Sequence, residues 1–178
     1  MIISVENWIE GGLKVSTEFA ALLRHNDLTT ADELWRRHGE SVKKQRRERG
    51  TERLFLDNPG GEPVETFIKR YLPISLGERL KRLLSFRPQH ADGAFHEWEA
   101  ILAFHEQELP TMRPIAVGKA TEGTCLLTLG ITDCVRASDL FAEFAAHRNE
   151  STHERKRNLI GRIARLAAGM HGAGTASP

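Results

Sequence analysis

The chain has 178 residues, of which 40% are hydrophobic and 28% are charged, and its formal net charge at pH 7 is +1. These values are typical of a globular domain and exclude a wholly disordered protein. A net charge so close to zero provides no overall attraction to nucleic acid or to an anionic membrane surface.

Cysteine usage and the lack of long apolar runs bear on the cellular compartment. Cys125 and Cys134 are too few for a disulfide framework and indicate free thiols in a reducing environment. The N-terminal residues lack the basic start and apolar core of a signal peptide. No apolar run approaches the roughly 18 residues that span a bilayer. We therefore expect a cytoplasmic protein, and peripheral contact with the inner membrane stays open.

Two short helical patterns open the chain, so residues 1–40 are expected to form a helical extension. Ser16 and Thr17 are candidate caps for the first helix. In the second helix, Thr30 and Glu33 have the spacing of a capping box, in which each side chain accepts a hydrogen bond from the backbone N–H of the other residue.

Short segments rich in β-branched and aromatic residues follow, separated by turn residues. Residues 53–56 and 65–71 predict two strands on either side of an Asn-Pro-Gly-Gly turn. Together with the basic stretch 42–49 they predict an antiparallel meander. Two further strands are predicted over residues 114–118 and 124–129, joined by a Glu-Gly turn.

Apolar residues at helical spacing predict four more helices. They cover residues 76–84, a longer segment from a cap at Asp92 to about Gln107, a segment capped by Ser138 that runs through Phe144, and a last helix from about His153 to His171. The order of elements is helices, three strands, two helices, two strands and two helices. This order predicts an α+β fold.

The basic stretch 42–49 allows three interpretations. Its lysines and arginines are solvated charges on a strand or turn, or they contact ATP phosphates or anionic lipid headgroups. The third interpretation joins the stretch to the two preceding helices as a helix-turn-helix with a basic arm, which would make a DNA-binding module. The near-neutral net charge disfavours this last interpretation, and no nucleic-acid partner is expected.

Five segments, in this order and at this spacing, resemble the N-terminal part of the lipopolysaccharide core kinase family of the Kdo/WaaP type. Glu65–Tyr71 (ETFIKRY) is similar to the lysine-bearing third strand of that protein-kinase-like fold, and His96–Leu102 (HEWEAIL) is similar to its αC helix. The resemblance implies that Lys69 pairs with nucleotide phosphates and that Glu97 is the partner of this lysine. The other three segments are residues 109–118, 126–131 and 159–174.

The resemblance also implies a division of the chain. Residues 41–130 would form a kinase-like small lobe with an antiparallel sheet and a long αC-type helix. Residues 131–174 would form the hinge and the first helices of a truncated large lobe, followed by a tail at 175–178. Thr128, Leu129 and Gly130 lie where the family has the strand that enters the hinge, so they are expected to contact ATP. Judged by residue type alone, Lys69 and Glu97 could instead be ordinary surface charges.

Phosphoryl transfer needs a cation on the phosphates, Mg²⁺ held by oxygen ligands, and a base that orients the acceptor. The family continues after a segment like 170–174 into a His-Arg-Asp loop with its metal ligands, whereas this chain reads Thr-Ala-Ser-Pro. A Gly-x-Gly-x-x-Gly loop is also missing. Asp133 and Asp139 lie near the hinge, where such kinases place neither metal nor base. We therefore assign no catalytic residue and no Mg²⁺ ligand.

The function expected from the resemblance is that of the nucleotide-binding half of an ATP-dependent kinase acting on a lipopolysaccharide core sugar, Kdo or heptose. ATP binding is expected to be weak, and the chain is expected to be inactive alone. A separate large-lobe polypeptide would complete it. Alternatively the chain would self-associate, because we expect the apolar stripe of its last helix, Leu159, Ile163, Leu166 and Met170, to be incompletely buried. The alternative is a non-catalytic binding or regulatory module that keeps the kinase-like lobe, and the helix-turn-helix module is the third candidate.

Overall fold

A computed structural model of the protein describes residues 2–42, 49–73, 93–132, 134–147 and 150–174. Most of the basic stretch, the helix predicted over 76–84, the cap at Asp92, Asp133 and the tail 175–178 lie outside these residues. The chain divides into two compact units, Met1–Gly130 and Ile131–Pro178.

The first unit is an antiparallel sheet of seven strands with helices packed on it, so the α+β class predicted from the sequence is confirmed. In space the strands follow the order β1-β2-β6-β7-β5-β4-β3. The strands are β1 Val5–Trp8, β2 Leu13–Ser16, β3 Glu40–Ser41, β4 Arg49–Leu56, β5 Val64–Tyr71, β6 Pro114–Ala120 and β7 Gly123–Leu129. Within the described residues, the helices of this unit are a 3-10 helix, Thr17–Phe19, and the α-helices α1 Ala20–His25, α2 Ala31–Arg36 and α3 Gly93–Glu106.

Two strands of the predicted meander are present as β4 and β5. They pair along their whole length, from Arg49 opposite Tyr71 to Leu56 opposite Val64. Gly60 lies in the turn between them with a φ of 83°, a left-handed conformation that glycine adopts without a steric penalty. The other predicted member, the basic stretch 42–49, lies mostly outside the described residues, and β3, which precedes it, pairs with β4.

Two apolar layers cover the two faces of the sheet. On one face, α1 and α2 bury their apolar residues against the strands, and on the other face α3 does so. Because successive side chains of a strand point to opposite faces, neighbouring residues of β7 belong to different layers: Leu126 packs with α3 and Leu127 with α1 and α2. The α3 layer has Ala94, Trp98, Ile101, Val117 and Leu126 at its centre.

Residues 1–40, expected to be helical, also contain the strands β1 and β2. β2 pairs with β6, with Leu13 opposite Gly118. This pairing changes the role of Ser16, whose hydroxyl donates to the carbonyl of Pro114 at 2.6 Å and makes no capping bond. The predicted cap at Ser16 is therefore wrong, because the hydroxyl joins β2 to β6 instead.

The predicted capping box at the start of α2 is confirmed. The Thr30 hydroxyl accepts from the Glu33 N–H at 3.1 Å, and the Glu33 carboxylate accepts from the Thr30 N–H at 2.8 Å. Burial acts to raise the pKa of Glu33, but the hydrogen bonds from Thr30 and Thr29 together hold it below its usual value.

The second unit contains α4 Ala137–Ala146 and α5 Glu150–Gly174. The predicted cap at Ser138 is wrong. The helix begins at Ala137, so Ser138 is its second residue and Arg136 occupies the N-cap position. Arg155 on α5 forms an ion pair with Glu143 on α4 at 2.8 Å.

Some apolar side chains of α5 are exposed to solvent. Ile163 is 46% exposed and Met170 is 44% exposed. Among the helices that the structure describes, none is both long and apolar enough to cross a membrane.

Candidate functional site

Strand β5 and helix α3 bring Lys69 and Glu97 together. The Lys69 ammonium donates a hydrogen bond to one oxygen of the Glu97 carboxylate. Both side chains are largely withdrawn from solvent, with 13% of Lys69 and 25% of Glu97 exposed. Ion pairs that are fully exposed to water are worth only about 0–1 kcal/mol, and these two side chains are instead partly buried.

Tyr71 is a third member of the cluster. Its hydroxyl donates to the other oxygen of Glu97. Tyr71 lies two positions after Lys69 on β5, so the alternation of the strand places both side chains on the face that α3 covers. Tyr71 was not predicted from the sequence, although its spacing of two residues from Lys69 is a signal that could have identified it.

Met112 is a second residue in contact with the Lys69 ammonium. Its thioether sulfur lies 3.7 Å from Lys69 Nζ. The loop that carries Met112 is tied to the end of α3, because Nε2 of His105 lies 3.1 Å from the Met112 carbonyl oxygen. Glu97 and Met112 thus account for two of the three N–H groups of the ammonium. The third has no partner among the residues that the structure describes.

Thr128, Leu129 and Gly130 lie at the end of β7, farther along the strand than Leu126, which pairs with Lys69. Thr128 is buried, and its hydroxyl lies 3.5 Å from the Phe67 carbonyl. The Leu129 N–H donates to the backbone carbonyl of Arg113 at 2.9 Å, and the Gly130 N–H donates to the backbone carbonyl of Glu65 at 2.8 Å.

The side chain of Leu129 packs against the layer of α1 and α2. It therefore lies on the face opposite Lys69. The structure brings Lys69 and Glu97 into contact, and it does not bring the Leu129 side chain to the same face. The assignment of residues 128–130 as nucleotide contacts stays a prediction.

No group of three or more His, Cys, Asp or Glu residues that could hold a metal ion occurs within the described part of the chain. Of the two cysteines, Cys134 is exposed and Cys125 is buried, and burial raises the pKa of the Cys125 thiol to about 12.

The model of the lipopolysaccharide kinase (Kdo/WaaP) family matches residues 32–176. The chain belongs to this family. The match begins in the first turn of α2 and includes Lys69, Glu97 and the whole of β3 to β7. No curated protein and no solved structure matches the chain significantly.

Membership of the Kdo/WaaP family supports a function like that of a lipopolysaccharide core kinase. The antiparallel sheet with α3 on one face is compatible with a kinase-like lobe. Three elements precede the matched residues: the strands β1 and β2 and the helix α1. They add two strands to the sheet and one helix to the apolar layer on one of its faces.

Proposed function

We propose that the chain binds the phosphates of ATP through Lys69, as the nucleotide-binding part of a kinase that phosphorylates a lipopolysaccharide core sugar. The observation that carries this proposal is the contact between Lys69 on β5 and Glu97 on α3. In protein kinases a lysine on the third strand of the small lobe and a glutamate on the αC helix must pair for phosphoryl transfer. Here β5 is the third strand of the meander and α3 takes the place of the αC helix.

The chemistry around Lys69 suits a phosphate group. The ammonium is a compact charge with three donors, and its position is restrained by Glu97 and Met112. Its third N–H, which has no partner in the described residues, is the one available to a phosphate oxygen. A cation in partly buried surroundings interacts more strongly with an anion than a cation in bulk water does.

The adenine end of the nucleotide is assigned to residues 128–130 on the family resemblance. Because the amides of Leu129 and Gly130 already donate within the protein, we expect most of the affinity to come from the phosphates. The expected dissociation constant for ATP is on the order of 100 μM or weaker, which corresponds to about −5.5 kcal/mol at best.

Isothermal titration calorimetry with Mg·ATP, ADP and AMP tests the proposal. Lys69→Met removes the charge and keeps most of the apolar stem, so we expect ATP affinity to fall at least about tenfold. Lys119→Met is the matched control, because Lys119 is an exposed lysine on β6 and should leave affinity unchanged. Affinity should rise from AMP to ATP. Equal binding of AMP and ATP, or binding that Lys69→Met does not weaken, would contradict the proposal.

A transfer assay tests whether the chain catalyses phosphoryl transfer by itself. Radiolabelled γ-phosphate should be offered with an acceptor that contains Kdo and heptose. We expect no transfer above a blank without protein, and the alternative, a non-catalytic binding or regulatory module, gives the same result. Transfer that disappears in Lys69→Met would show that the chain is an active kinase by itself and would exclude that alternative.

A further inference from the structure

Two of the groups that hold the carboxylate of Glu97 are donors from the same strand. Lys69 donates to one oxygen and the Tyr71 hydroxyl donates to the other. The ring of Tyr71 packs against the apolar layer under α3. It also meets the first residue of that helix, since a Cβ built on Gly93 would lie 2.6 Å from the ring. The backbone at the start of α3 therefore helps to determine where the hydroxyl lies.

We propose that Tyr71 is a positioning residue for Lys69 and acts through Glu97. This inference rests on the proposed function, in which the Lys69 ammonium meets nucleotide phosphate. The terminal torsion of a glutamate side chain has a broad energy minimum, so each hydrogen bond to the carboxylate restricts its rotation. The hydroxyl of Tyr71 supplies such a restriction at the second oxygen. The first oxygen then stays directed at Lys69, and the flexible four-carbon stem of the lysine is held in one place.

Tyr71→Phe is the informative variant, because it deletes the hydroxyl and keeps the ring that fills the space beside Gly93. A change in the reactivity of the Lys69 ammonium in this variant is therefore due to the lost hydrogen bond and not to a cavity. Tyr71 is the single tyrosine of the chain, so the Tyr71→Phe variant differs from the unmodified protein by its only phenol hydroxyl.

The first measurement needs no nucleotide. Reductive methylation of the lysines, followed by peptide mass spectrometry, gives a labelling rate for each lysine. We expect Lys69 to be labelled roughly threefold faster in Tyr71→Phe, because a more mobile Glu97 protects the ammonium less. Lys119, exposed on β6, is the internal control and should be labelled at the same rate in both proteins. An unchanged rate at Lys69 overturns the inference.

The second measurement is a double-mutant cycle on ATP affinity. Tyr71→Phe alone should weaken ATP binding about fivefold, which is less than the full contribution of one hydrogen bond to a charged group, because Tyr71 acts on the nucleotide only indirectly. In the Lys69→Met background the same change should have no further effect, since Tyr71 acts through Lys69. An equal loss in both backgrounds would show a structural role and overturn the inference. If the unmodified chain binds no ATP, the proposed function fails, and the labelling rate of Lys69 alone decides the role of Tyr71.

Discussion

Lys69 and Arg70 occupy consecutive positions of β5, and their side chains lie on opposite faces of the sheet. Lys69 meets Glu97 on α3. Arg70 donates from Nε to the carbonyl of Trp35, near the end of α2, at 2.8 Å. Because side chains alternate along a strand, this one strand links the sheet to a helix on each face. The candidate site and the attachment of α2 thus depend on the same register of β5.

Loss of the Arg70 side chain should destabilise the protein. Arg70 is 11% exposed on its side chain and forms an ion pair with Glu52 at 2.9 Å, in addition to its bonds to α2. Arg70→Ala would remove the ion pair with Glu52, which keeps the Gly39 N–H as a donor, and would remove the guanidinium donor from the carbonyls at the end of α2. We expect a loss of about 2–3 kcal/mol in the free energy of unfolding, measured by urea denaturation.

Arg53→Ala is the matched control for this prediction. Arg53 lies on the neighbouring strand β4 and contacts Glu40 and Glu65, but 38% of its side chain is exposed. The expected loss is therefore about 0–1 kcal/mol. Equal effects of the two substitutions would show that the bonds from Arg70 to α2 contribute little.

The stability of the protein should fall in acid partly through Asp32. The N–H and the hydroxyl of Thr121 donate to this carboxylate, and the backbone bond is the main cause that holds the pKa of Asp32 below its usual value. A carboxyl group with a lowered folded-state pKa contributes stability above the unfolded pKa, which is about 4, and loses it as the pH falls through the folded pKa.

Urea denaturation at several pH values between 2 and 6 checks the role of Asp32. The free energy of unfolding should fall less steeply with decreasing pH in Asp32→Asn than in the unmodified protein. If the free energy of unfolding falls with pH equally steeply in both proteins, the ionisation of Asp32 does not contribute to the loss of stability in acid.

Gly93→Ala should disturb the candidate site by moving Tyr71. The added Cβ would lie 2.6 Å from Cδ1 of the tyrosine ring, which is closer than carbon atoms can approach. We expect a loss of about 1–3 kcal/mol in stability from overpacking, together with faster labelling of Lys69. Thermal unfolding followed by circular dichroism and lysine labelling are the two measurements.

Gly161→Ala in α5 is the control for this substitution. The nearest atom that its Cβ would meet is Nη1 of Arg165 at 3.9 Å, so there is room for it. Alanine should raise stability by up to about 1 kcal/mol, because it is the better helix former. A loss of stability in both variants would indicate that the contact with Tyr71 is not the cause.

The capping box of α2 provides a local test. Thr30→Ala removes the hydroxyl that accepts from the Glu33 N–H, and we expect a loss of about 1 kcal/mol in stability. Thr30→Ser keeps the hydroxyl and should retain most of that stability. Urea denaturation of the three proteins decides the point, and a loss in Thr30→Ser equal to that in Thr30→Ala would contradict the role of the cap.

Features of this protein that depend on short sequence distances could be predicted from the sequence. The capping box joins residues three positions apart, and the strands β4 and β5 flank a turn whose residues favour left-handed backbone. The pair of Lys69 and Glu97 spans 28 positions, and the family resemblance predicted it, not the spacing itself.

Features that depend on distant segments were decided by the tertiary structure. The strands β1 and β2 have four residues each, too short for a convincing periodic pattern, and β2 is held by pairing with β6 about a hundred positions away. The hydroxyl of Ser16 could have capped a helix or bonded to a neighbouring strand, and the nearness of the Pro114 carbonyl determined which.

The same reason explains Tyr71 and Arg70. The alternation of β5 determines that they lie on opposite faces, but it cannot say which partners those faces hold. The contact of Tyr71 with Glu97 and that of Arg70 with Trp35 depend on where α3 and α2 pack. Local sequence determines the conformation of a strand and the direction of its side chains, whereas the packing of distant elements determines what each side chain meets.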